Sequence, residues 1–150
     1  APGGVLIGWD CAALGLPHAG QPFDRGRVLQ HLDVPDAWLE HGVIDARDER
    51  LLRSPLGLAG QACWASVFFV AGSPLDRARR DAALEAAREA LAGHVLAATA
   101  GATYPHPRVL VARVLAPVVE PAMDALRRVR AAWRQRLWSL PEAAPRIWAM

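Results

Sequence analysis

Hydrophobic and polar positions follow two different rhythms along this chain. In the first third, apolar residues gather in short β-branched and aromatic stretches or alternate with polar ones. Val5 to Leu14 is apolar and closes at Gly15-Leu16-Pro17, which predicts a strand ending in a turn. Gln21-Pro22-Phe23-Asp24-Arg25-Gly26 is a turn cluster. From Arg27 to Val34 the chain alternates, with Val28, Gln30, Leu32 and Val34 on one side and Arg27, Leu29, His31 and Asp33 on the other. After Pro35-Asp36 a second short strand runs from about Trp38 to Ala46. Strands of this kind, each with one wet face, predict an antiparallel meander.

Beyond Cys63 the style changes. Cys63 to Val70 is a β-branched and aromatic run that predicts a strand. Ser73-Pro74-Leu75-Asp76 then opens a helix, with Ser73 as N-cap, Pro74 at the first helical position and Asp76 facing the dipole. Leu84, Ala87 and Leu91 give that helix an apolar stripe, and Gly93 stops it. Short strands are expected near Val95 to Ala102 and Arg108 to Leu115, with Tyr104-Pro105-His106-Pro107 as a turn. Pro117 and Pro121 lead into a second helix ending near Leu137, with Met123, Leu126, Val129, Trp133 and Leu137 on one face. The order strand, helix, strand, strand, helix places two amphipathic helices on one face of a sheet. The expected class is α+β with mainly antiparallel sheets. Residues 1–61 form the meander part and 62–150 the helical part of one domain.

Composition narrows the field. With 53% hydrophobic and 21% charged residues the chain is globular rather than disordered. A net charge of +2 is too small to imply nucleic acid by itself. Cys11 and Cys63 form no CxxC pair and read as reduced thiols of a cytoplasmic protein. The apolar run from Gly3 to Leu16 is interrupted by Asp10 and is too short to span a bilayer. No secretory signal is visible, so a cytoplasmic location is expected.

Two carboxylates stand out. Asp10 sits inside an apolar strand, where an ionised group is costly unless it is paired, hydrogen-bonded or near water. It lies either on a wet strand face or along an internal polar passage. Glu40 and His41 are neighbours on a strand and point to opposite faces, so they cannot share one site without a bulge. Oxygen ligands hold a transient divalent or hydrated ion weakly, whereas thiolates would trap it. The five histidines (His18, His31, His41, His94 and His106) have no spacing that specifies a metal site and read as surface or loop residues. Arg127, Arg128, Arg130, Arg134 and Arg136 line the outer side of the last helix. They form a solvated face or, alternatively, a nucleic-acid-binding surface. Ser54, Ser66, Ser73 and Ser139 lack a nucleophile-elbow context, and no phosphate loop is present. No catalytic residues and no tightly bound cofactor are expected.

Several blocks, in order, resemble one known family. Gly8-Trp9-Asp10-Cys11-Ala12-Ala13-Leu14-Gly15-Leu16-Pro17, followed by Ala19-Gly20-Gln21-Pro22-Phe23 and Gly26, is similar to the W-[DE]…L-G-R-x-x-x-G-E-x-F…G block of the urease accessory protein D family. Leu16 and Gln21 replace its Arg and Glu. Trp38-Leu39-Glu40-His41 resembles the family's strand ending in Glu-Arg, and Ser54-Pro55-Leu56-Gly57-Leu58-Ala59-Gly60 its S-P-x-G-L-A-G. Pro145-Arg146-Ile147-Trp148-Ala149-Met150 resembles its P-R-I-W-x-T tail, with Met150 in place of Thr. The resemblance covers the C-terminal half of the family and implies a largely β, stacked-sheet body with two helices. It implies a non-catalytic scaffold that assists nickel insertion into apo-urease with accessory protein F and the GTPase accessory protein G. It also implies a transient Ni²⁺ passage lined by carboxylates, to which Asp10 and Glu40 correspond by position.

A half of such a body would leave strand edges open. The chain in isolation is expected to self-associate, and a monodisperse monomer in sedimentation velocity would contradict this.

Overall fold

In the computed structural model, which describes residues 3–144, six strands are divided between two antiparallel sheets. The strands are β1 (Val5–Ala13), β2 (Arg27–Val34), β3 (Trp38–Asp45), β4 (Cys63–Ala71), β5 (Ala100–His106) and β6 (Val109–Ala116). One sheet has the order β1-β4-β6-β5, and β2 and β3 pair separately as a ribbon. The helices are α1 (Glu49–Arg53), α2 (Arg77–Ala92) and α3 (Val119–Trp138). This is the expected α+β arrangement.

The two central strands explain the layering. Cys63, Ala65, Val67 and Phe69 of β4, with Leu110, Ala112 and Val114 of β6, face α2 and α3. Their alternate residues Phe68, Val70, Val109 and Val111 face the other way and are covered by Trp38, Leu32 and Val34 of the ribbon. Strands covered on both sides lose the apolar-polar alternation of a half-wet sheet. Among the helices, Ala83, Leu84, Ala87 and Leu91 of α2 and Ala122, Ala125, Leu126, Val129, Trp133 and Leu137 of α3 are buried. Met123, expected on that face, is partly buried against the same core.

Four local expectations need correction. β1 does not continue into a meander: it pairs with β4, from Val5↔Ala71 to Ala13↔Cys63. Its Ile7 and Cys11 pack on the helix-side core, so both of its faces have work in the larger sheet. The cap of α2 is Asp76, which accepts from the Arg79 amide at 2.8 Å, rather than Ser73. β5 starts only at Ala100, after a short 3-10 turn at Ala97–Thr99, and continues through Pro105 to His106. The register shifts between Thr103 and His106, and an edge strand with such an irregularity tolerates proline. Finally, α1 has no counterpart in the sequence reading, because 5 residues are too few to show a helical period. The Pro145–Met150 block lies outside the described residues.

Glycine is required where the Ser54–Gly60 segment folds back on α1. A Cβ at Gly57 would come within 2.1 Å of the Leu51 carbonyl oxygen. That close approach lets the amides of Leu58 and Gly60 donate to Leu51 and Leu52 at 2.8 Å each.

The indole of Trp133 is fully buried, and its Nε1 donates to the Ala83 carbonyl at 3.1 Å, tying α3 to α2. Trp133→Ala is expected to cost about 3–5 kcal/mol in urea denaturation. Leu56→Ala, at a fully exposed position, is expected to change stability by less than about 0.5 kcal/mol.

Candidate functional site

Three apolar strands of the main sheet each carry a polar residue toward the ribbon, and register sets them side by side. Asp10 of β1 pairs with Ser66 of β4, Ser66 pairs with Arg113 of β6, and Arg113 pairs with Gly101 of β5. The result is a polar row across the sheet. The ribbon supplies its own polar residues above that row. Gln30 of β2 donates from Nε2 to Asp10 Oδ2 at 2.8 Å, and Glu40 of β3 forms an ion pair with Arg113. Asp10 and Glu40 therefore enter the same interlayer space from opposite layers, on either side of Ser66. Neither is an isolated buried charge.

A cavity of about 640 Å³ occupies this space, its wall including Gln30, Glu40, Trp64, Ser66, Gly101 and Arg113. Asp10 reaches it through Gln30, which lines the cavity. Leu51 and Leu58 close part of the wall, so the glycine-dependent fold of the Ser54–Gly60 segment shapes it directly. Two buried polar atoms of this region, Ser66 Oγ and Trp64 Nε1, have no hydrogen-bond partner among the described residues. Buried polar groups are ordinarily satisfied, so each such exception needs an explanation. A second cavity of about 570 Å³ lies between the Leu14–Phe23 loop and the α1 region, with Arg53 as its charged wall residue. It lacks convergent polar groups.

The remaining candidates have separate surroundings. Cys11 and Cys63 are free thiols with sulfurs 3.8 Å apart. The hydrogen bond from Cys63 lowers the Cys11 thiol below the ordinary value, and the same bond together with burial pushes Cys63 up. His94 is buried, accepts from the Leu96 amide at Nδ1 and lies 3.1 Å from Asp124 through Nε2. His106 accepts from the Arg108 amide. Of the α3 arginines, Arg128 pairs with Asp124, while Arg130 and Arg134 donate to the carbonyls of Ala143 and Pro141. At the ribbon end, hydrogen bonds from Arg47 hold the Asp45 carboxyl well below the usual carboxylate range. Among the described residues there is no group of three or more His, Cys, Asp or Glu side chains able to hold a metal ion. No described helix is long and apolar enough to cross a membrane.

Sequence reasoning singled out Asp10 and Glu40, which the fold brings to one interlayer space, but not Ser66 or Arg113 beside them. A signal for both was present. Asp10 in Val5–Ala13, Ser66 in Cys63–Ala71 and Arg113 in Val109–Ala116 each interrupt an otherwise apolar strand. Their alignment needs the strand register, which the sequence leaves open.

A family model described as UreD urease accessory protein matches residues 1–149. The chain is 64% identical over 150 residues to the urease accessory protein UreD of Verminephrobacter eiseniae, covering all of this chain and 54% of that protein. It is 63% identical to the UreD of Albidiferax ferrireducens and 61% identical to that of Paracidovorax citrulli, each over 150 residues with the same coverage. The chain thus spans about half the length of the curated relatives it matches.

Because Ser66 Oγ has no hydrogen-bond partner among the described residues, its removal breaks no hydrogen bond seen there. Ser66→Ala is expected to leave the urea midpoint unchanged or to raise stability by up to about 1 kcal/mol. A loss of more than about 1 kcal/mol would mean that the hydroxyl is satisfied in solution by a structural interaction.

Proposed function

The chain belongs to the family of UreD urease accessory proteins, and from that premise we propose that it serves urease maturation as a non-catalytic scaffold with a nickel passage between its sheet and ribbon. The observation that carries this reading is the polar row of Asp10, Ser66 and Arg113 facing Gln30 and Glu40. Ni²⁺ is the cargo. Carboxylate oxygens met one at a time suit an ion that must be released again, because they hold it less firmly than thiolates. Ser66 Oγ and Trp64 Nε1 offer hydrogen-bonding capacity to the water shell of a passing ion. Arg113 neutralises Glu40 at rest, so the ion takes the place of a guanidinium rather than of bulk water. The proposed partners are apo-urease, accessory protein F and the GTPase accessory protein G, and the proposed location is the cytoplasm.

The test is urease activation in cells whose urease operon lacks accessory protein D, complemented with the full-length parent gene. The wild-type gene is expected to restore activity. Asp10→Ala and Glu40→Ala are expected to lower it several-fold at limiting nickel and to recover as nickel is raised. Full activity of both variants at limiting nickel, with normal protein levels, would overturn the passage. Failure of the wild-type gene to restore activity, despite soluble expression, would overturn the maturation role.

A further inference from the structure

The outer face of the ribbon carries a second arrangement that the interlayer passage does not use. His31 of β2 and His41 of β3 lie directly opposite each other in register, and both are exposed. Their Nδ1 atoms are 3.2 Å apart, with ring centroids at 5.0 Å and planes inclined at 76°. The geometry points to a surface site for a divalent transition-metal ion chelated by the two Nδ1 atoms.

Distance supports chelation. An ion bound at the usual metal–imidazole length of about 2.0–2.1 Å to both nitrogens would subtend an angle of about 100°. That lies between the octahedral and tetrahedral values, so the nitrogen spacing suits a single ion, and the rings turn out of their mutual hydrogen bond to aim both lone pairs at it. Imidazole nitrogen suits nickel, copper and zinc, and disfavours the harder magnesium and calcium ions. The pair is also held by its frame. Both histidines sit inside a hairpin closed by the Val34↔Trp38 pair, and Trp38 is buried against the main sheet, so the backbone under the site is fixed before the ion arrives. With no third ligand grouped among the described residues, water completes the coordination and the ion remains exchangeable.

The site is distinct from the passage. Glu40 and His41 are adjacent on β3 and point to opposite sides, Glu40 to Arg113 and His41 to His31. It therefore stands or falls independently of the nickel passage.

The experiment titrates the full-length protein with Ni²⁺ alone, reading affinity by calorimetry and location by paramagnetic broadening of histidine ring signals. His31 and His41 are expected to broaden before His18 and His106. His31→Gln and His41→Gln are each expected to weaken this binding by about tenfold or more, with unchanged thermal melting, whereas His18→Gln leaves it intact. Wild-type affinity in either ribbon variant, or sharp His31 and His41 signals at saturating Ni²⁺, would overturn the site.

Discussion

An isolated two-stranded ribbon is marginal in water, and β2–β3 is held in place by the indole of Trp38. That ring is 9% exposed and packs on Phe68 with centroids 5.5 Å apart, beside Val109 and Val111. Arg108, in the turn between β5 and β6, donates to the Pro35 carbonyl at 3.0 Å and holds the tip of the hairpin as well. With the tip fixed, alternation does the rest. Two residues beyond Trp38, Glu40 meets Arg113, and across the hairpin Gln30 meets Asp10. The polar row has a roof only because an apolar contact fixes the ribbon above it.

The row answers the cost of placing polar groups beneath another layer in three different ways. Asp10 receives a neutral donor, Arg113 receives a counter-charge, and Ser66 receives no partner among the described residues. The Glu40–Arg113 pair is partly exposed, with side chains 23% and 47% accessible, so solvent screening keeps its contribution to stability small. The pair therefore adds little to holding the fold together. Stability comes from the other face of the sheet, where Trp133, Leu110, Val114 and the α2 stripe form the larger apolar core. This division leaves the interlayer groups free to be chosen for chemistry.

Much of the architecture was legible in the sequence. The apolar runs of β4 and β6, the alternation of β2 and the stripes of α2 and α3 are properties of local spacing, and the α+β class follows from their order. Pairing was not legible. β1 looks like the first strand of a meander because it precedes β2, yet its apolar residues on both faces suit the main sheet better, and no local rule makes that choice. Pro105 reads as a turn residue, but its place at a sheet edge is a tertiary fact. The site divides in the same way. Asp10 was visible as a carboxylate inside an apolar strand and Glu40 by its position in a family-like block, whereas Ser66, Arg113 and the His31–His41 contact exist as neighbours only through cross-strand register. Spacing along the chain could not have found that histidine pair, since 10 residues separate its members.

The alternation of β3 constrains how this ribbon can change its length. Each residue added to or lost from a strand between Trp38 and the next fixed point turns every later side chain over, exchanging the carboxylate under the roof for the imidazole above it. Changes of two residues preserve the facing; changes of one reverse it. The Leu14–Gly26 connection is under no such rule, because it forms no long ladder and contributes no residue to the polar row. Length variation in that connection therefore need not come in even steps, whereas within the ribbon it must, which gives the hairpin a parity to maintain.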